Sequence, residues 1–335
     1  MIARTTPSVQ TESWQQLLRN AIRDPKELFR ALDLPWQTDL SPALAHQQFP
    51  VVVPTPYLSR IRKGDPNDPL LLQVLPSAPE LLTVEGFTQD PLEEAASNPL
   101  PGLIHKYGNR VLLTVAGHCA INCRYCFRRH FPYDSNTPGR EHWQKVLDYI
   151  ALRPEIEEVI YSGGEPLAVN DQRLGWLSAE LEQISHLKRL RIHTRMPVAI
   201  PQRVDDGLLS WLGRGRLKSV LVIHCNHPRE IDLEVRNALQ LLHANGVLLL
   251  NQSVLLRGVN DCVDTLERLS QALIDASVQP YYLHLLDRVA GAAHFEVAEE
   301  RALELMRLLR ERCSGYMVPS LVRECAGARS KTIIG

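Results

Sequence analysis

Cys119, Cys123 and Cys126 fall within one eight-residue stretch of the run HCAINCRYCFRR, spaced C-x3-C-x2-C. Three thiolates on one loop can hold three corners of an iron–sulfur cube. No fourth cysteine lies nearby, so one iron would stay open to a non-protein ligand. Structural zinc favours paired C-x2-C elements or histidines at set offsets, which this run lacks. Three buried thiols in an ordinary loop is the plainest alternative, and the clustering argues against it. The other four cysteines, Cys225, Cys262, Cys313 and Cys325, are scattered. Seven is an odd number, and the opening MIARTTPSVQ lacks the apolar stretch of a secretory signal, so no disulfide framework is expected.

The elements around this run place it. From about residue 110, β-rich runs alternate with amphipathic stretches. Strands are expected at 110–116, 157–163, 189–195, 219–225, 247–256 and 278–286. Helices are expected at 142–151, 173–184, 206–212, 232–246, 263–276 and 297–313. Six β/α units with connections of this length imply a parallel sheet. Six are too few for a closed eight-fold barrel and suit an open, partial one, with the chemistry at the C-terminal strand ends. The cysteine run follows the first strand. Ser162, Gly163, Gly164, Glu165 and Pro166 end the second, where glycines allow close backbone approach.

Before residue 105 the texture differs. Residues 14–32 show helical spacing, and then Pro35, Pro42, Pro50, Pro54, Pro56, Pro66, Pro69, Pro76 and Pro79 interrupt the pattern repeatedly. The division expected is 1–105, a mostly helical and irregular wrapping region; 106–313, the partial barrel; and 314–335, a C-terminal tail.

Of the 335 residues, 44% are apolar and 22% charged, as in a soluble globular chain of about two domains. Lys plus Arg is 37 against 38 for Asp plus Glu, a balance that does not favour nucleic acid. No apolar run approaches the ~18 residues of a membrane span. A cytoplasmic protein in a reducing compartment is expected.

The C-x3-C-x2-C run after the first strand of such a barrel, with the Gly-Gly-Glu-Pro segment after the second, resembles the radical S-adenosylmethionine enzymes. In that family the open iron is chelated by S-adenosylmethionine, and Ser162, Gly163, Gly164 and Glu165 match the segment at its methionine end. Residues 90–130, 194–204 (TRMPVAIPQRV), 224–231 (HCNHPREI), 251–262 (NQSVLLRGVNDC) and 279–295 (QPYYLHLLDRVAGAAHF) resemble, in order and spacing, the lysine 2,3-aminomutases.

The resemblance implies a site. It implies pyridoxal 5′-phosphate held as a Schiff base by Lys331, near the chain end in GARSKT, with Arg110 near its phosphate. Arg128 matches the arginine on the substrate carboxylate. Asp287 and Glu324 match the two acids on the substrate's side-chain ammonium, Glu324 standing where catabolic enzymes have aspartate. His224 and Gln252 match residues near S-adenosylmethionine, and both could equally be polar residues of the core. Lys331 in this role requires a tail folded back over the barrel mouth.

Cys262 matches one cysteine of a zinc site whose partners are absent, so no zinc is expected. Ending at Gly335, the chain most resembles the aminomutase of elongation factor P modification. That enzyme makes β-lysine for a separate lysyl ligase, fed by an electron donor such as flavodoxin or ferredoxin. The alternatives are a catabolic or osmolyte lysine 2,3-aminomutase, a radical enzyme without pyridoxal that acts on peptide or RNA, and an iron–sulfur electron carrier.

Overall fold

Short helices come first in the chain: α1 (Trp14–Arg19), α2 (Pro25–Ala31), α3 (Ser41–Gln48), α4 (Thr55–Leu58) and α5 (Pro69–Leu72). The computed structural model describes residues 12–36, 41–133, 136 and 140–335. The helical spacing over 14–32 is split in two. Asn20 ends α1, and Asp24, ahead of a Pro at the first helical position, caps α2 by accepting from the Lys26 amide.

Then follow β1 (Leu103–Tyr107), β2 (Arg110–Ala116), α6 (Arg140–Ala151), β3 (Glu158–Gly163), α7 (Asp171–Glu182), β4 (Arg189–Thr194), α8 (Met196–Ala199), α9 (Asp206–Trp211) and β5 (Lys218–Ile223). The chain closes with α10 (Leu233–Ala244), β6 (Leu248–Val254), α11 (Val263–Asp275), β7 (Gln279–His284), α12 (Glu299–Arg312), β8 (Ser320–Arg323) and β9 (Thr332–Ile333).

One nine-stranded sheet runs in the order β1 to β9. Strands β2 to β8 are parallel, and β1 and β9 pair antiparallel at the two edges. The two edges do not pair, so the barrel is open. All six expected β/α units are present. Sequence reasoning missed β1, β8 and β9, which extend the sheet at both ends.

Residues of alternate parity face opposite sides of a sheet. Val111, Leu113, Val115, Val159, Tyr161, Leu190, Ile192, Leu221 and Ile223 belong to one apolar cluster with helix residues such as Trp143, Leu147, Leu174, Leu181 and Leu239. That parity faces the helices. The other carries Arg110, Ser162, His193, His224, Gln252 and His284 on the concave side. The N-terminal region shares the same cluster through Trp14, Leu28, Phe29 and Tyr57 of its helices and Val53 between them.

The N-terminal region also grips the cysteine loop. Glu80, fully buried, takes Arg124 Nη2 at 2.6 Å and Arg129 Nη2 at 2.9 Å. Amides of Asn122 and Arg124 donate to the carbonyls of Val52 and Gln73. Breaking such a buried pair costs about 3–5 kcal/mol, because one charge is left uncompensated. At the other end, Ile334 packs in the cluster of α12 and its amide donates to Leu321. The tail is therefore folded back as a strand.

Candidate active site

The loop after β2 presents three free, half-buried cysteines. Burial pushes the thiols of Cys119 and Cys126 up, Cys126 to about 12, and the neighbouring cysteines push in the same direction. Three thiolates here repel one another unless a cation sits between them. Among the described residues, no group of three His, Cys, Asp or Glu side chains converges on a single ion. Three cysteine sulfurs on one loop are the donor set of an iron–sulfur cube with one iron left open. Cys262 is exposed on the outer side, its sulfur against Thr265 Oγ1.

Gly163 packs against the end of β2 and Gly164 against the start of this loop. Gly163 has φ +112°, and a Cβ there would stand 2.5 Å from the Ala116 carbonyl oxygen. At Gly164 it would stand 2.3 Å from the His118 carbonyl oxygen. The amides of Gly164 and Glu165 donate to those same two carbonyls, each at 2.8 Å. The close approach that calls for glycine is thus to the protein's own backbone. Glu165 is buried, which pushes its pKa up, against the pull of Thr194 Oγ1 (2.5 Å), the Arg195 amide (2.9 Å) and the Leu167 amide (3.0 Å). Its carboxylate ties β3 to the end of β4.

Arg128 is buried and doubly held by Glu94, with Nε to Oε2 at 2.8 Å and Nη2 to Oε1 at 2.6 Å, while Nη1 donates to Ser162 Oγ at 3.0 Å. Glu94 takes the guanidinium side-on and Ser162 takes one N–H of Nη1, so what remains for another carboxylate is the second N–H of each terminal nitrogen. Sequence reasoning missed Glu94, since nothing local marks an acid 34 residues from its partner.

On the concave parity, His193 Nε2, His224 Nε2, His284 Nε2 and Gln252 Oε1 are buried without a hydrogen-bond partner among the described residues. Burial lowers all three imidazoles, His224 to about 4, so they are neutral. Orphaned polar atoms around one concavity fit a polar ligand such as S-adenosylmethionine or pyridoxal 5′-phosphate.

Lys331 ion-pairs with Glu324, and its Nζ stands 5.9 Å from the Tyr282 ring centre. Glu324 also accepts from Lys106 Nζ at 3.0 Å and Tyr107 Oη at 2.8 Å. Burial pushes Glu324 up, but the two ammonium groups outweigh it and hold the carboxyl down at about 2. Asp287 makes no side-chain hydrogen bond to a described residue. Burial pushes it up to about 7, although it feels Lys331. Arg110 stacks on the Tyr107 ring at 4.0 Å, and among the described residues its side chain donates to Asn109 alone. Lys106 and Tyr107, on the unforeseen β1, were also missed by sequence reasoning.

An open parallel barrel with a three-cysteine loop after its first parallel strand defines a radical S-adenosylmethionine enzyme. Residues 104–194 match the model of a 4Fe-4S single cluster domain. The chain is 51% identical to the L-lysine 2,3-aminomutase of Haemophilus influenzae, over 96% of this chain and 95% of that one. It is 49% identical to the L-lysine 2,3-aminomutase of Escherichia coli, over 99% and 96%. It is 38% identical to that of Clostridium subterminale, over 95% of this chain and 77% of the longer relative. The chain belongs to the lysine 2,3-aminomutase family of isomerases. Membership implies a 4Fe-4S cluster, S-adenosylmethionine and pyridoxal 5′-phosphate as cofactors. Among the described residues, no helix is long and apolar enough to cross a membrane.

Proposed function

We propose that this protein converts L-α-lysine to β-lysine, moving the amino group from the α- to the β-carbon, with Lys331 as the residue that holds pyridoxal 5′-phosphate. The observation that supports this most is the ion pair of Lys331 with Glu324, and the electrostatic pull of the same Lys331 on Asp287, which makes no side-chain hydrogen bond to a described residue. It puts an amine that could hold the cofactor next to two acids that could hold a substrate ammonium.

Cys119, Cys123 and Cys126 would hold the cluster, and Ser162, Gly163, Gly164, Glu165, His224 and Gln252 would border S-adenosylmethionine. Arg110 would take the pyridoxal phosphate group. When bound, these groups supply a hydrogen-abstracting carbon radical and an aldehyde ring system that binds amines and delocalises an unpaired electron. The chain does the rest. Arg128, fixed side-on by Glu94, offers the second N–H of each terminal nitrogen to the lysine carboxylate. Asp287 and Glu324 offer two anions to the side-chain ammonium and so select against neutral and acidic amino acids. The neutral imidazoles of His193, His224 and His284 add no competing positive charge. The folded-back tail closes the mouth and keeps water from the reacting carbons.

The product would serve the modification of elongation factor P. This finer reading is supported by Glu324, which stands where the catabolic enzymes have aspartate. The test is anaerobic reconstitution with iron, sulfide, pyridoxal phosphate, S-adenosylmethionine, lysine and dithionite, with the product identified by mass spectrometry. β-Lysine is expected. A fully loaded enzyme that leaves lysine unchanged would overturn the reading. Elongation factor P isolated from cells lacking this protein should lose the mass of one β-lysyl group, and an unchanged mass would sink the finer reading alone.

A further inference from the structure

Arg195 follows the last residue of β4 and is buried at 5% exposure. Its Nη1 donates to the sulfur of Cys123 at 2.7 Å. Its Nη2 is held by Gln73 Oε1 at 2.7 Å and Glu230 Oε2 at 2.8 Å, with the Tyr57 hydroxyl at 3.3 Å. Its own amide donates to Glu165 at 2.9 Å. Glu230 is fully buried and fixed in turn by Gln73 Nε2 and by the amides of Asn226 and His227. The aromatic rings of Tyr57 and Tyr125 lie 5.2 and 5.9 Å from the guanidinium.

A buried Arg–Glu pair adds little to stability over an apolar pair of the same shape. Here four chain segments, carrying Tyr57 and Gln73, Tyr125, Arg195, and Asn226 to Glu230, converge to hold one cation with one N–H aimed at a sulfur. The other two cysteines are treated differently. Among the described residues, Cys126 receives a backbone N–H from Arg128 and no side-chain donor, and Cys119 receives no side-chain donor either.

We propose that Arg195 is a positioning residue for the iron–sulfur chemistry: through Cys123 it sets the reduction potential of the cluster. A cluster gains one negative charge when reduced. An N–H from a guanidinium onto a ligating thiolate withdraws charge from that sulfur, so it stabilises the reduced state more than the oxidised one. A cluster that must be reduced before it can cleave a sulfonium benefits from a fixed positive neighbour. Glu230, Gln73 and Tyr57 anchor the far side of the guanidinium, so the donor cannot swing away when the cluster's charge changes. The inference rests on Cys123 being a cluster ligand.

The experiment is an EPR-monitored redox titration of the cluster-loaded enzyme, without S-adenosylmethionine, for wild type, Arg195→Gln and Arg195→Lys. Iron and sulfide content are measured on each sample. Arg195→Gln, which loses the charge, should be about tenfold harder to reduce, a negative shift of about 59 mV for a one-electron couple. Arg195→Lys, which keeps the charge, should shift less. Arg195→Gln with a full cluster and the wild-type potential would overturn the proposal. A second measurement does not depend on a variant that loads: wild-type enzyme grown on arginine labelled with 15N only in the guanidinium group, which leaves the Arg128 backbone amide on Cys126 unlabelled, should show 15N coupling to the reduced cluster in pulsed EPR, and its absence would overturn the proposal equally. A Cys123→Ala enzyme with a normal cluster would instead overturn the ligand assignment beneath it.

Discussion

Lys331 and Glu324 are ion-paired across the turn that joins β8 to β9, seven residues apart in the chain. The same carboxylate takes Lys106 and Tyr107 from β1. Strands β1 and β9 are the two unpaired edges of the open sheet. One acid therefore links the edges that backbone hydrogen bonds leave apart, and it holds the lysine proposed to bind the cofactor. Were Lys331 to hold an aldehyde cofactor, its nitrogen would be committed to that group, and one side of Glu324 would be freed for another ammonium.

Changing Lys331 to Ala should abolish the imine absorption of added pyridoxal phosphate and nearly all lysine turnover, with iron and sulfide content unchanged. Borohydride reduction of the loaded wild type followed by peptide mapping should put the label on the C-terminal peptide. Lys106 is the informative rival, because it touches the same carboxylate at 3.0 Å. Label found there would overturn the assignment of Lys331.

Glu324→Gln should destabilise the protein by about 1–3 kcal/mol, since two ammonium groups and a phenol lose a charged acceptor. The pH dependence follows from the depressed carboxyl. Its folded value of about 2 lies below the unfolded value near ~4.3, so its contribution is present above ~4.3 and is lost as pH falls toward 2. Melting temperatures of wild type and variant should differ at neutral pH, and the gap should narrow below about pH 4 and close only near pH 2. A constant gap would mean that the carboxylate's charge is not what stabilises this corner.

Asp287 has the opposite sign. Its folded value of about 7 lies above the unfolded ~3.9, so the folded protein holds the extra proton and loses stability as pH rises from ~4 to 7. Asp287→Asn removes that loss and should melt higher than wild type at pH 8, with the advantage gone near pH 4. Lysine binding should weaken by roughly 10- to 100-fold, the worth of one charge-assisted hydrogen bond. Wild type should release a proton when lysine binds just below pH 7, read by calorimetry in buffers of different ionisation enthalpy. A variant that binds lysine like wild type would remove Asp287 from the substrate site.

Legibility in the sequence followed distance along the chain. The six β/α units carry the periodicities of amphipathic helices and buried strands, so they could be read. Strand β8 has four residues and β9 two, too few to show a period. Strand β1, LIHKY, lies beside the proline-rich region and keeps its polar end half-buried. The cysteine loop was legible because its chemistry is local. The partners that hold the site were not: Glu94 meets Arg128 from 34 residues away, Arg195 meets Cys123 from 72, and Lys106 meets Glu324 from 218. Charge and hydrogen-bond complementarity on that scale exists only once the sheet has formed. The two glycines at the end of β3 were read as allowing close backbone approach, and the atoms that crowd them are backbone atoms of β2 at Gly163 and of His118, at the start of the cysteine loop, at Gly164.

That crowding supports the last prediction. A Cβ on Gly164 would stand 2.3, 2.6 and 2.8 Å from the oxygen, carbon and nitrogen of His118, all backbone atoms that no rotamer change can move aside. His118 directly precedes Cys119, and its carbonyl already accepts the Glu165 amide. Gly164→Ala must therefore push the start of the cysteine loop away from β3. Overpacking of this kind costs about 1–3 kcal/mol. The larger consequence is to the cluster, because Cys119 moves while Cys123 stays held by Arg195. Iron and sulfide per chain should fall well below wild type after identical anaerobic reconstitution, and the melting temperature should drop. Gly108→Ala is the control: a Cβ there meets nothing within 4 Å, so both measurements should stay at wild-type values. If Gly164→Ala assembled a full cluster and melted like wild type, the glycine would be answering to something other than the loop, and contact with a bound cofactor would become the better account of it.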